Sequence, residues 1–213
     1  MHIIPAINCP DLDCAIEKVR IAEKFFPFGD GWVHLDVADA RFTPNRTWGD
    51  PSGWRKLQTS LNLEVHLMVE DPEIRVEEWF QAGAKRVIVH VETLREEELA
   101  YALANQYGAE AMLAISPETP VESLKLYFEK FSAFQVLAVH PGLAGQKFLP
   151  LVLDKVRFLR EYYHTATIEV DGGIDLETAR GAREAGADII VSASYIFNAA
   201  NPAQAYAMLS SIE

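Results

Sequence analysis

Short runs of aliphatic and β-branched residues alternate with longer amphipathic stretches along the whole chain. Runs of this kind, bounded by turn residues, are typical of strands that are buried on both faces. The pattern predicts eight strands, at Ile3–Ile7, Trp32–Val37, Leu63–Met68, Arg86–His90, Ala111–Ile115, Phe134–Val139, Thr167–Val170 and Ile189–Ser192.

Helices are predicted between the strands, because apolar residues there recur at intervals of three and four. Val152, Val156 and Leu159 show this spacing. Asp or Pro marks several helix starts, as at Asp71-Pro72 and Asn201-Pro202. The predicted helices include Asp11–Phe26, Pro72–Ala82, Val121–Phe131, Leu151–Tyr163 and Leu176–Ala185.

Alternation of eight strands with helices implies a parallel sheet. We expect an α/β fold of the (β/α)8 TIM-barrel type, because eight strands suit closure and no Gly-rich dinucleotide turn follows the first strand. The 213 residues contain no linker or low-complexity segment, so we expect a single (β/α)8 barrel domain over residues 1–213.

The chain has 31 acidic and 19 basic residues, for a formal net charge of −12. This charge repels nucleic acid and anionic membranes at long range, so neither is expected as a partner. The chain has no apolar stretch of about 18 residues to predict a membrane-spanning helix, and its start lacks the pattern of a secretory signal. Cys9 and Cys14 are too few for a disulfide framework or a structural zinc site, and we expect a cytoplasmic location.

Candidate metal ligands occur near the carboxyl ends of three predicted strands, where barrel enzymes place their working residues. His34 and Asp36 are two residues apart on the second strand and therefore share a face. His66 lies at the end of the third strand, and Asp171 follows the seventh. Two imidazoles and two carboxylates at one barrel mouth predict a divalent metal site that suits Zn, Fe(II), Mn or Co.

A metal between two carboxylates suits removal of a proton from a carbon next to a ketone. The bound cation stabilises the resulting ene-diolate as a Lewis acid. Carboxylates on opposite faces of this planar intermediate can exchange acid and base roles, so that the carbon is inverted. The predicted pair for this reaction is Asp36 and Asp171.

Phosphate binding is indicated by the segments that follow strands six to eight. The sixth strand leads into the glycine-containing loop His140–Phe148, the seventh into Gly172-Gly173, and the eighth ends at Ser192–Tyr195. Glycine lets backbone N–H groups approach phosphate oxygens closely, and a following helix directs its positive end at them. The expected partner is therefore a small sugar phosphate.

Several motifs resemble those of the ribulose-phosphate 3-epimerase family and together span nearly the whole chain. They are Val33–Asn45, His66–Met68, His90–Glu92, Pro117–Pro120, Pro141–Phe148 and Asp171–Ile174. The resemblance implies that His34, Asp36, His66 and Asp171 bind the metal and that Asp36 and Asp171 are the catalytic pair. It implies pentose phosphate metabolism and a homo-oligomer. It also implies substrate and phosphate contacts from Ala6, His66, Met68, Gly142, Leu143, Ala144, Gly145, Gly172, Gly173, Ala193 and Ser194.

The chain departs from the family pattern at several places, which leaves the sugar open. Ala6 replaces a serine whose hydroxyl faces the substrate, in Pro5-Ala6-Ile7-Asn8 where the family usually has Pro-Ser-Ile-Leu. Ala38 and Ala138 replace methionines, so Met68 alone is left of a sulfur-lined patch. Ala144 and Ala193 occupy two phosphate-loop positions where the family has glycine. The methyl group of alanine limits how closely the backbone can approach a phosphate.

Epimerisation of D-ribulose 5-phosphate to D-xylulose 5-phosphate is the leading hypothesis. A variant keeps this chemistry on another sugar phosphate, such as allulose 6-phosphate. A non-catalytic phosphate-binding barrel is an alternative, although scaffolding alone would not require the four metal ligands. A metal-free lyase or decarboxylase would need a lysine at a strand end, and none of the predicted strands ends in one.

Overall fold

Eight parallel strands close into a barrel in chain order in the computed structural model, which describes residues 1–212. The barrel closes where the first and last strands pair, with Ile3 opposite Ile190. The strands are β1 (His2–Ile7), β2 (Trp32–Ala38), β3 (Asn62–Met68), β4 (Arg86–His90), β5 (Glu110–Ile115), β6 (Ala133–Leu137), β7 (Thr167–Asp171) and β8 (Ile189–Ser192). The predicted (β/α)8 barrel is confirmed.

Helices connect most of the strands. They are α1 (Leu12–Ala22), α2 (Pro51–Lys56), α3 (Glu73–Gln81), α4 (Glu97–Tyr107), α5 (Val152–Tyr162), α6 (Leu176–Ala185), α7 (Ser194–Phe197) and α8 (Pro202–Ser210). Within residues 1–212, no helix is long and apolar enough to cross a membrane.

The predicted helix Val121–Phe131 was wrong in type and extent. This connection is a 3₁₀ helix over Val121–Tyr127. Its buried residues are Val121 and Leu124. A spacing of three matches the three residues per turn of a 3₁₀ helix, so a short tight helix is enough to cover the sheet here.

Each strand alternates between a face that packs on helices and a face that lines the barrel. On β2, Val33, Leu35 and Val37 belong to the core between sheet and helices, whereas His34 and Asp36 point into the barrel and meet side chains from β3 and β7. The barrel interior therefore changes in polarity around its circumference. Beside β1 and β8 it is apolar, formed by Ile4, Ala6, Ile189 and Val191.

A disulfide joins Cys9 to Cys14 and ties the segment after β1 to the first turn of α1. Asp11 caps this helix by accepting a hydrogen bond from the Cys14 backbone N–H. This bond was not predicted from the sequence.

Candidate functional site

Four predicted metal ligands converge at the floor of the barrel mouth. The Oδ1 atom of Asp36 lies 3.2 Å from His34 Nε2 and 3.3 Å from His66 Nδ1. The Oδ2 atom of Asp171 lies 3.4 Å from the same His66 nitrogen and 3.9 Å from His34 Nε2. All four residues are buried, and one candidate ligand atom from each lies within 4.8 Å of the others.

The chemistry of this donor set fits a divalent cation. Ligand atoms at zinc-like bond lengths in a tetrahedron lie about 3.4 Å from one another, close to the separations found here. The Nδ1 atom of His66 is buried and has no hydrogen-bond partner within the described residues. A buried polar atom left in this way is costly unless something binds it. The residues present therefore could hold a metal.

The second ring nitrogen of His34 is held by a carboxylate from the neighbouring strand. Its Nδ1 lies 2.8 Å from Glu64 Oε1, and the other Glu64 oxygen accepts a hydrogen bond from Arg86 at 2.6 Å. Arg86 also donates to Glu110 at 2.5 Å. With its Nδ1 proton directed at Glu64, His34 would offer Nε2 to a cation once that nitrogen has lost its proton, as a metal ligand must.

A second buried carboxylate faces this network from β7. Glu169 accepts a hydrogen bond from Gln135 and lies 3.7 Å from Arg86. Burial and the nearby charge of Glu64 raise the pKa of Glu169 to about 8. Burial also opposes the charged form of Glu64, but its contacts with His34 and Arg86 lower its pKa. The network therefore holds one ionised and one protonated carboxyl group.

His66 is held from behind by a chain that reaches the next loop. Its Nε2 lies 2.8 Å from His90 Nε2, and His90 Nδ1 lies 2.9 Å from Glu92. Glu92 accepts hydrogen bonds from the Ser116 N–H and the Thr119 hydroxyl. If His66 offers Nδ1 as a ligand, its proton is on Nε2 and is donated to His90, whose own proton is then directed at Glu92.

Burial and partner groups set the charge states along this chain. Burial, together with the charge of His66, lowers the pKa of His90, so that its neutral form is favoured. Burial alone would raise the pKa of Glu92, but hydrogen bonds from His90 and from the turn at residues 116–119 lower it to about 2. A neutral imidazole that donates to a carboxylate is the arrangement that orients a ligand histidine.

The carboxylate of Asp36 is stabilised in its ionised form. Burial would raise its pKa, but the hydrogen bond with His34 and the positive charge of His34 and His66 hold that pKa well below its usual range. Burial likewise disfavours the charged imidazoles, yet the surrounding carboxylates raise the pKa of both histidines. A cation that binds here would displace protons from the imidazoles, so binding is linked to pH.

A cavity opens above the cluster, and Asp36 and Asp171 form part of its lining. Of the predicted substrate and phosphate contacts, the cavity is lined by Met68, Gly142, Leu143, Ala144, Gly145, Gly172, Gly173, Ala193 and Ser194. Ala6 does not line it and is packed in the apolar part of the barrel. His66 is fully buried beneath it among the metal ligands.

At two glycines on this rim, an added Cβ would clash with a neighbouring loop. Gly173 has a φ of +67°, and a Cβ there would lie 2.4 Å from the backbone nitrogen of Phe148. Gly142 has a φ of +117°, and a Cβ would lie 2.3 Å from Asn45 Oδ1. Each glycine lets two loops pack closely at the cavity.

Several residues of the site were not predicted. Glu64 and Glu169 precede the ligands His66 and Asp171 by two residues, so the strand period alone places them on the inward face. Arg86 begins β4 and pairs in register with Glu64. Asn8 was noted only as a departure from a family pattern, but it lines the cavity and donates a hydrogen bond to Asp36.

Comparison with known proteins gives a consistent result. The model of the ribulose-phosphate 3 epimerase family matches residues 5–197. The ribulose-phosphate 3-epimerase of Chlamydia muridarum is 40% identical over 203 residues, covering 92% of this chain and 87% of that protein. The Schizosaccharomyces pombe enzyme of the same name is 37% identical, covering 84% and 80%. A solved 3-hexulose-6-phosphate synthase from Salmonella typhimurium has a TM-score of 0.76 at 18% identity, covering 100% and 98%, and shows the fold alone.

Proposed function

The chain belongs to the ribulose-phosphate 3-epimerase family of carbohydrate isomerases, and from this premise we propose its substrate, mechanism and cofactor. The proposed reaction is the interconversion of D-ribulose 5-phosphate and D-xylulose 5-phosphate by inversion at carbon 3. One observation carries the proposal. Two carboxylates and two histidines meet at the floor of a cavity, with one buried imidazole nitrogen left without a partner.

The proposed acid and base are Asp36 and Asp171. Each has one oxygen in the ligand cluster and lines the substrate cavity. In one direction Asp36 accepts the proton from carbon 3, and the electron pair of the broken C–H bond moves toward the carbonyl oxygen. Asp171, which enters the reaction carrying a proton, then donates it to the opposite face of the planar ene-diolate, and the carbonyl re-forms. After one turnover Asp36 holds the proton and Asp171 is ionised, so the reverse reaction, or exchange of protons with solvent, restores the starting state.

The proposed cofactor is one divalent cation held by His34, Asp36, His66 and Asp171. Zn, Fe(II), Mn and Co all accept such mixed nitrogen and oxygen ligands. When bound, the cation supplies positive charge that offsets the negative charge developing on the substrate oxygens.

The proposed phosphate subsite is the glycine-rich rim of the cavity. Gly142–Gly145 approach from one side, Gly172-Gly173 from the second, and Ala193-Ser194 from the third. Backbone N–H groups of such turns bind phosphate oxygens without requiring a basic side chain. This suits a chain with a net charge of −12, whose overall field does not attract an anion.

Proton NMR of ribulose 5-phosphate in D2O with metal-loaded protein tests this function. We expect xylulose 5-phosphate to form and deuterium to enter at carbon 3. Asp36→Asn and Asp171→Asn should abolish product formation, whereas Asp154→Asn, an exposed surface control, should not. If the metal-loaded protein gives neither exchange nor product, the pentose assignment is wrong, and the same assay with allulose 6-phosphate tests the hexose alternative.

A further inference from the structure

Asn8 lies directly after β1, on the inward face that it shares with Ala6 two residues earlier. Ala6 is packed among apolar side chains below, whereas Asn8 reaches the cavity beside Asp36 and Gly142. The polar group that the inward face of β1 brings to the cavity is therefore the Asn8 amide, two residues nearer the barrel mouth than Ala6, where the family pattern has a serine.

The side-chain amide of Asn8 contacts both a carboxylate of the proposed metal cluster and the loop that covers the cavity. Its Nδ2 donates to Asp36 Oδ2 at 3.0 Å and to the backbone carbonyl of Gly142 at 3.2 Å. Because both partners are acceptors, the nitrogen and not the oxygen of the amide must face them. The other oxygen of Asp36 faces His34 and His66. Asn8 therefore orients the carboxylate from the side opposite the metal ligands.

The carbonyl of Gly142 is also approached by a second amide. Asn45, on the loop after β2, donates to it at 3.4 Å. Gly142 begins the part of the His140–Phe148 loop that covers the cavity, and its left-handed backbone fits closely against Asn45. Two asparagines from separate loops thus hold one point of the covering loop, but only Asn8 also contacts the catalytic pair.

The backbone around Asn8 is itself held at several points. Its carbonyl accepts a hydrogen bond from Lys18 at 3.0 Å. The next residue, Cys9, is bonded to Cys14 and accepts a hydrogen bond from the Trp48 N–H at 2.7 Å. These contacts limit the movement of Asn8. Its amide therefore has a defined position, which orients the Asp36 carboxylate and the Gly142 carbonyl that it contacts.

We propose that Asn8 is a positioning residue that couples the closed position of the 140–148 loop to the orientation of the Asp36 carboxylate. When the loop is seated, the Asn8 amide directs Asp36 Oδ2 toward the cavity, and when the loop leaves, one of the two acceptors of that amide is lost. The role assigned to Asp36 rests on the proposed function, whereas the contact with the loop does not.

The test compares Asn8→Leu, which removes the amide at similar volume, with Asn45→Ala, which removes only the second contact to Gly142. Asn105→Leu, at an exposed position of α4, is the control. Trypsin cleavage after the exposed Lys147, followed by mass spectrometry, reports release of the loop without reference to activity. Steady-state kinetics give kcat and KM, and zinc titration gives metal affinity.

For Asn8→Leu we expect kcat to fall about tenfold or more and cleavage after Lys147 to accelerate about three- to tenfold, the range for one lost hydrogen bond. Zinc affinity should stay within about twofold, because the four ligands are intact. Asn45→Ala should accelerate cleavage to a similar degree with a much smaller change in kcat. Asn105→Leu should match the wild type in every measurement.

Unchanged cleavage in Asn8→Leu would overturn the contact with the loop, and unchanged kcat would overturn the positioning role. An equal loss of kcat in Asn45→Ala would show that loop seating alone matters and would also overturn coupling through Asn8. If the wild type does not act on any ketose phosphate, the proposed function fails, while the cleavage comparison still decides the contact. Should Asn8→Leu not fold, Asn8→Ser gives the same comparison with a side chain too short to join both acceptors.

Discussion

Replacement of Arg86 by methionine should destabilise the barrel and weaken the metal site together. Arg86 is buried and contacts three carboxyl groups, at 2.6 Å for Glu64, 2.5 Å for Glu110 and 3.7 Å for Glu169. Its guanidinium also lies 4.9 Å from the centre of the Trp32 ring. Methionine keeps much of the volume but leaves the fully buried Glu64 without its cation.

Removal of one partner of a buried ion pair costs about 3–5 kcal/mol, because the remaining charge stays desolvated. Glu64 keeps its hydrogen bond with His34, Glu169 is already protonated near neutral pH, and Glu110 is partly exposed, so only one fully buried charge loses its cation. We therefore expect a loss of about 3 kcal/mol, at the lower end of that range. We also expect zinc affinity to fall by about tenfold or more, because Glu64 is no longer held by Arg86 and therefore orients His34 less firmly.

Urea denaturation of chelator-treated protein at pH 7 measures the loss of stability without a contribution from metal binding. Arg157→Met is the matched control, since Arg157 forms an exposed pair with Asp154. That substitution should change the free energy of unfolding by less than about 0.5 kcal/mol. If Arg86→Met and Arg157→Met differ by no more than this, or if zinc affinity is unchanged, the reasoning about the buried network is refuted.

Three further predictions concern other parts of the site. Glu92→Gln should lower stability at pH 7, because the folded-state pKa of about 2 lies below the ordinary value and Glu92 stabilises the fold when ionised. The stability difference between wild type and Glu92→Gln is fully present above the ordinary glutamate pKa of about 4.3 and should shrink as pH falls toward 2. Urea denaturation at several pH values measures it, and a stability difference that does not change with pH would contradict the prediction. Gly173→Ala should lower the thermal unfolding temperature far more than Gly108→Ala. Both glycines have positive φ, but only at Gly173 would the added Cβ lie within 3 Å of other backbone atoms. Equal losses in the two variants would exclude this contact as the cause. Zinc at about a thousandfold excess over its Kd should raise the unfolding free energy of chelator-treated protein by about 4 kcal/mol; a similar rise in Asp171→Asn would place the metal elsewhere.

The strands were predictable because the barrel buries both faces of each strand. Seven of the eight predicted strands end within one residue of the observed end, and β4 and β8 agree at both ends. The grouping of the proposed ligands was predictable for a related reason, since His34 and Asp36 share an inward face by the period of two. The connection after Pro120 was less predictable, because an apolar spacing of three fits both kinds of helix.

The rest of the site depends on contacts between residues far apart in sequence. In the sequence, Glu64 is a single acidic residue within an apolar strand. Its partners His34 and Arg86 become apparent only from the register of the neighbouring strands. Asn8 gains its role only when the loop after β6 reaches the end of β1. Local pattern cannot supply these pairings, because they follow from barrel closure and from the course of a loop.

The distribution of the proposed metal ligands along the chain has a consequence for folding kinetics. Three of the proposed ligands come from β2 and β3, whereas Asp171 comes from β7 and joins them only when the barrel is nearly complete. A partly folded chain that has paired its first four strands lacks the full set of ligands. A cation that binds only the complete site stabilises the native state more than the transition state for folding. The metal concentration should therefore set how long the native barrel survives before it unfolds and have little effect on how fast it forms.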